Sequence, residues 1–155
     1  MTAREMMFCL AETFPEKLRF EAASDKRLYV RVQPEDLCRV IRYVFEERKG
    51  RLSTATGIET REGIEVMYHF SFNGCPLITT IKVTTPKYMP ELDSVQDILK
   101  GAYWIEREIH DFLGVVFKGH PKLERLFKAR NIPENIYPLR KDFDLKTFKE
   151  QKGDA

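Results

Sequence analysis

Residues 64–72 and 77–84 alternate apolar and polar side chains, and Asn73-Gly74 stands between the two runs. Period-two alternation puts one set of side chains on each face of a strand. Asn-Gly readily takes the left-handed backbone of a two-residue hairpin turn. The pair therefore commits the chain to antiparallel strands with one buried face, and the rest must fold around that sheet. Residues 52–59 read as a further strand, joined through Gly63. Residues 18–22 and 28–32 alternate in the same way across a Ser24-Asp25-Lys26 turn.

Helical signals interrupt these strands. Over residues 2–14, Thr2 and Glu5 have capping-box spacing, and Pro15 stops the helix. Over residues 34–49, Pro34 suits a first turn, while Glu35 and Asp36 suit the positive end of the helix dipole. Leu37, Val40, Ile41, Val44 and Phe45 form one apolar face of that helix, which ends at Gly50. Pro86 to Pro90 is a loop. Leu92-Asp93-Ser94 is then placed to cap a short helix over 95–100, with Gly101 separating it from a longer one. After Arg130 prolines accumulate and periodicity fades, so residues 131–155 read as an extended tail behind a domain of residues 1–130. The expected fold is α+β: a mixed, mostly antiparallel sheet of about four strands, with helices packed on one face and the tail beyond.

A chain of 155 residues with 43% apolar content is one domain with enough material for a core. Its net charge of +2 argues against a nucleic-acid-binding surface. Cys9, Cys38 and Cys75 are odd in number and far apart, so neither a disulfide framework nor an iron–sulfur site is expected from this chain. No apolar run approaches the ~20 residues of a membrane helix, and no secretory signal is visible.

The densest chemistry begins at Trp104. Trp104-Ile105-Glu106-Arg107-Glu108-Ile109-His110-Asp111 reads as a helix whose aliphatic face is Ile105, Ile109, Phe112 and Val116. Arg107 with Asp111, and Glu106 with His110, have i,i+4 spacing. As exposed pairs they stabilise a helix by only about 0.2–0.5 kcal/mol each. Glu106, Arg107 and Glu108 cannot share one face, so some of these charges point into the domain or towards a partner. Metal chemistry is disfavoured by spacing. A helical zinc motif needs two histidines at i,i+4, whereas His120 is ten residues beyond His110 and His69 sits in a strand.

Gly119-His120-Pro121 is a turn, with His120 bonding backbone at the corner and a helical segment over 123–127, containing Arg125, beyond it. Pro138-Leu139-Arg140-Lys141-Asp142-Phe143 is too short and polar to pack a core of its own. It interleaves Tyr137, Leu139, Phe143 and Phe148 with charges, the composition of a tail lying in a partner's groove. Arg140 could then pair with a partner's carboxylate.

In order and spacing these segments resemble the 30 kDa-type subunit family of respiratory complex I (NADH:quinone oxidoreductase), including the equivalent subunit of membrane-bound, energy-converting nickel–iron hydrogenases. The match runs through Trp104, Glu106, Arg107, Glu108, Asp111, Gly119-His120-Pro121, Arg125 and Pro138-Leu139-Arg140-Lys141-Asp142-Phe143. It is specific over residues 94–145 and general before them. The resemblance implies a cofactor-free accessory subunit, with no catalytic or metal-binding residue, in the hydrophilic arm of a membrane-bound, ion-translocating redox complex. Those matched residues would form its interface or its internal scaffold. Its partners would be a large hydrogenase-like catalytic subunit, which the chain would clamp, and neighbouring subunits holding iron–sulfur clusters, with a nickel–iron centre where the complex is a hydrogenase. It would sit at the cytoplasmic face of the cell membrane, touching the membrane only through the complex, without binding nucleic acid. Asn135-Ile136-Tyr137 replaces the glycine–histidine pair that many complex I members carry before Pro138. That difference, with the 131–135 spacer, favours the hydrogenase-like or related ferredoxin-linked kind over a conventional NADH:quinone enzyme.

Overall fold

The computed structural model describes residues 1–146 and Phe148; the rest of the expected tail lies outside the described residues. Helix α1 (Ala3–Thr13) starts on its capping box, in which Glu5 N donates to Thr2 Oγ1 and Thr2 N donates to Glu5 Oε2. Two donors that the first helical turn would leave orphaned are thereby satisfied. Strands β1 (Arg19–Ser24) and β2 (Arg27–Val32) form an antiparallel pair.

The single helix expected from Pro34 is three pieces: a 3-10 turn (Pro34–Asp36), α2 (Leu37–Arg42) and a π turn (Tyr43–Glu47). In the π turn Arg48 N donates to Tyr43 O, five residues back. The wider turn breaks the 3.6-residue period. Phe45 is consequently exposed, while Leu37, Val40, Ile41 and Val44 are buried.

Strands β3 (Arg51–Glu59), β4 (Ile64–Phe72) and β5 (Cys75–Thr85) form an antiparallel meander. Its second turn holds Gly74 at φ +68°, as the Asn-Gly pair requires. Parallel pairing of β2 with β5 completes a sheet of five strands, ordered β1-β2-β5-β4-β3, where about four were expected. Leu28, Val30, Val66, Tyr68, Phe70, Ile81 and Val83 lie on one face and join Met6, Leu10, Val40 and Ile41 in a single buried cluster. Among the alternate residues Tyr29, Arg31, Met67, His69 and Lys82 are half-buried, while Glu65 and Thr80 are buried. Each fully buried aliphatic or aromatic side chain contributes about 1.5–3 kcal/mol, so the cluster holds the fold and the exposed ion pairs add little.

Beyond β5 the structure departs further from expectation. Residues 95–100 form turns, and the stretch expected to cap a helix there is a short strand, β6 (Glu91–Asp93). It pairs in parallel with β7 (Val116–Lys118). Between them α3 (Ala102–Leu113) packs on β3, where a Cβ at Gly57 would stand 2.6 Å from Leu113 Cδ1. The buried face of α3 is Ala102, Glu106, Arg107, Ile109, Asp111 and Leu113. Ile105 and Phe112 are only half-buried, and Val116, in β7, is exposed. The helix is thus rotated from its expected aliphatic face, because its inward charges meet polar partners. Residues 123–127, expected to be helical, are irregular.

Candidate functional site

Three charged side chains of α3 enter the domain, and each is met differently. Glu106 Oε1 accepts from Tyr68 OH at 3.3 Å and Val95 N at 2.8 Å, while Oε2 accepts from the Ser94 hydroxyl. One carboxylate so ties α3 to β4 and to the segment after β6. Burial raises its pKa, and the bonds from Ser94, Val95 and Tyr68 offset that only in part. Burial, then the nearby Glu106 charge, pushes the Tyr68 hydroxyl well above its usual value.

Arg107 is 5% exposed and gives Nε to Glu124 O at 3.1 Å and Nη2 to Arg125 O at 2.9 Å. Asp111 Oδ2 accepts from the backbone N of Leu126, Phe127 and Lys128 at 2.9, 2.8 and 2.9 Å. Two side chains one helical turn apart therefore grip one loop, first by its carbonyls and then by its amides. This grip replaces the Arg107–Asp111 pair suggested by their spacing. The Glu106–His110 pair is also absent: His110 Nδ1 donates instead to Val115 O at 2.8 Å. Burial pushes the Asp111 pKa up, but the three amides and the Lys128 charge outweigh it and leave the carboxyl below its ordinary range. Glu108 points outward, on a cleft of about 230 Å³ lined also by Gly57, Ile105, Phe112 and Leu139.

The remaining motif residues extend this frame. Gly119 takes φ +80°, and His120 donates from Nε2 to Tyr103 O at 3.0 Å and accepts Lys122 N at Nδ1, with Pro121 exposed beside it. Arg125 donates to the carbonyls of Ala129 and Arg130. Lys128, not anticipated from sequence, is buried and donates to Glu134 O at 2.8 Å and Ile136 O at 3.0 Å. Burial lowers its pKa, with the Asp111 charge acting the other way.

The Pro138–Phe143 segment returns to the domain. The Tyr137 ring lies on Gly114, where an added Cβ would stand 2.6 Å from the ring and where φ is +76°. Lys128 Nζ sits 5.0 Å and the Arg140 guanidinium 4.5 Å from that ring's centre. Arg140, expected to seek a partner's carboxylate, gives Nε to Leu113 O at 2.8 Å and closes the C-terminal end of α3. Leu139 N donates to Phe112 O at 3.1 Å, and Lys141 N to Glu59 Oε2 at 2.7 Å. Pro138 and Phe143 are half-buried; Asp142 is exposed.

Most of the buried polar side chains of the motif are thus spent on backbone groups, while several of its apolar ones face solvent. Trp104, on which Arg107 stacks at 5.0 Å, is 57% exposed. Phe127, stacked on Phe112, is 61% exposed, and Leu139 is 60% exposed. Among the described residues no group of three or more His, Cys, Asp or Glu side chains is placed to hold a metal ion. No described helix is long and apolar enough to cross a membrane. Tyr68, Ser94 and Glu59 also escaped the sequence reading. The available signal was a tyrosine on the buried phase of β4, whose hydroxyl needs a partner.

The motif thus builds a buried polar frame that leaves Trp104, Phe127 and Leu139 facing outward. The chain belongs to the family described as the respiratory-chain NADH dehydrogenase 30 kDa subunit, whose pattern matches residues 30–149. It is 27% identical to one of the subunits of the F420H2 dehydrogenase of Methanosarcina mazei, over 93% of both chains. It is 32% identical to formate hydrogenlyase subunit 5 of Escherichia coli over 86% of its own length, which is 24% of that relative. Among solved structures, a protein of the membrane-bound sulfane sulfur reductase, an archaeal respiratory membrane complex, superposes with a TM-score of 0.82 at 26% identity. That match covers 98% of this chain and 91% of the other. The relatives are thus subunits of multisubunit redox complexes, among them an archaeal respiratory membrane complex.

Proposed function

We infer that this chain is a cofactor-free accessory subunit that docks on a large hydrogenase-like catalytic subunit. The host would be a membrane-bound, ion-translocating redox complex of the hydrogenase-like or related ferredoxin-linked kind. Iron–sulfur clusters, and a nickel–iron centre where one exists, belong to the neighbours; the chain itself is peripheral, on the cytoplasmic side. The observation that carries this reading is the exposure of Trp104, Phe127 and Leu139 on a frame whose polar members are buried. Exposed aromatic and aliphatic anchors on a rigid support are what a protein interface requires. The 24% share of formate hydrogenlyase subunit 5 supports it too, since there a domain of this kind is one part of a much larger chain. Residues 131–143 contribute Leu139 to the docking surface and are the proposed clamp.

Changing Trp104 and Leu139 together to serine, in a tagged copy of this chain expressed in its native host, tests the reading. Both side chains are mostly exposed, so the isolated domain stays folded, its melting temperature lowered only by loss of the Arg107 stacking, while the large subunit is lost during purification from membranes. Full retention of the large subunit by the double variant would refute it.

A further inference from the structure

Pro86-Lys87-Tyr88-Met89-Pro90 joins β5 to β6. Its base is fixed. Thr85 Oγ1 donates to Glu91 O at 3.1 Å and accepts Glu91 N at 3.0 Å, and Val116 N donates to Pro90 O at 2.7 Å. The Lys87 ammonium pairs with the Glu59 carboxylate. Its tip is bare: Tyr88 is 92% exposed and Met89 70%. Single exposed apolar residues are ordinary on any protein. Two adjacent ones on a loop bolted at both ends are different, because little conformational freedom remains to be lost when they are buried. Tyrosine and methionine are also enriched in interface cores.

Glu59 links this loop to the surface already described. The carboxylate that holds Lys87 also accepts Lys141 N, two residues after Leu139. Loop and clamp are therefore fastened to one point at the end of β3. We propose that Tyr88 and Met89 form an anchor that enters an apolar pocket on the same large subunit that covers Leu139. The inference rests on the docking role given above. A lipid surface fits less well. The Lys87 charge is engaged by Glu59, and two side chains on one short loop bury too little apolar area to hold a membrane on their own.

The test places a benzophenone amino acid at position 88 in the complex purified from native membranes, and irradiates it. The expected product is a covalent adduct with the large subunit. In parallel, Tyr88→Ser with Met89→Ser speeds dissociation of this chain from the complex on the order of thirtyfold, as loss of a central anchor does. The melting temperature of the isolated variant stays unchanged. An adduct only with lipid or with a second copy of this chain, or no adduct with unchanged dissociation, overturns the proposal. Failure of the unmodified tagged chain to bring down any large subunit would overturn the docking role as well. Retention of the large subunit without cross-linking overturns the loop anchor alone.

Discussion

Glu106 and Asp111 leave the same helix and are both buried, yet their pKa values move in opposite directions. Around Glu106 two hydroxyls and one amide do not compensate for lost water, and no cation contacts it among the described residues. Around Asp111 three successive amides converge on a single oxygen. The contrast shows that neither burial nor the count of bonds alone sets the state of a carboxylate, since each accepts three. At Asp111 three backbone amides and the Lys128 charge outweigh desolvation, whereas at Glu106 two hydroxyls and one amide, with no described cation beside them, do not. It also separates two tasks. Glu106 ties α3 to the sheet, whereas Asp111 shapes the loop that presents Phe127.

The largest effect should come from Asp111→Ala. It strands three backbone donors, at about 1–3 kcal/mol for a buried unpaired group, so a total of about 3 kcal/mol or more is expected. For a domain of this size the melting temperature falls by roughly 6–12 °C, and hydrogen exchange at residues 126–128 accelerates. An unchanged melt would break the comparison. Arg107→Ala, which frees two carbonyls and unstacks Trp104, should cost about 2 kcal/mol. Because Arg107 and Asp111 hold one loop, the double variant loses less than the sum, which a double-mutant cycle of unfolding free energies would show.

The pH dependence sharpens the contrast. The Asp111 carboxyl is depressed on folding, so its stabilisation is present above the unfolded value near pH 4 and is lost as pH falls through the folded value. Glu106 is raised, so its contribution is whole below the unfolded value of about 4.3 and declines as pH rises towards the folded one. Glu106→Gln should therefore flatten that decline, leaving the protein equally stable, or more stable by up to about 1 kcal/mol, at neutral pH. A substantial loss there would mean that the ionised carboxylate is favourably solvated after all. Smallest of all, Glu59→Gln should leave the melt in place and raise exchange only at Lys141 N.

The sheet was legible where periodicity is local. The Asn73-Gly74 turn and the Thr2–Glu5 capping box lie where the residues said they would. The α3 region was not legible, for two reasons. Three-residue strands such as β6 and β7 show no period, and their pairing joins residues far apart in sequence. Consecutive charges at 106–108 required that some point inward, but not which. That choice depends on Ser94 and on loop 124–128, whose positions are set only when the sheet is complete. The bond of Arg140 within the domain was hidden for a related reason: its Nε acceptor is the carbonyl of Leu113, and every residue type carries a backbone carbonyl.

The parallel pairing of β2 with β5 has a bearing on how the chain is made. Arg27 lies opposite Ile78 and Val32 opposite Val83, some fifty residues later, while β3, β4 and β5 pair with their immediate neighbours. A ribosome releases the N-terminal end first. At 5–20 residues per second, roughly 3–10 s pass between the emergence of β2 and that of the strand it must lie beside. For that interval Leu28 and Val30, and the apolar sides of α1 and α2, have only the β1–β2 pair and no completed sheet to close over them. The nascent protein is therefore most in need of a holding chaperone before β5 has left the exit tunnel, well ahead of any encounter with the complex it joins.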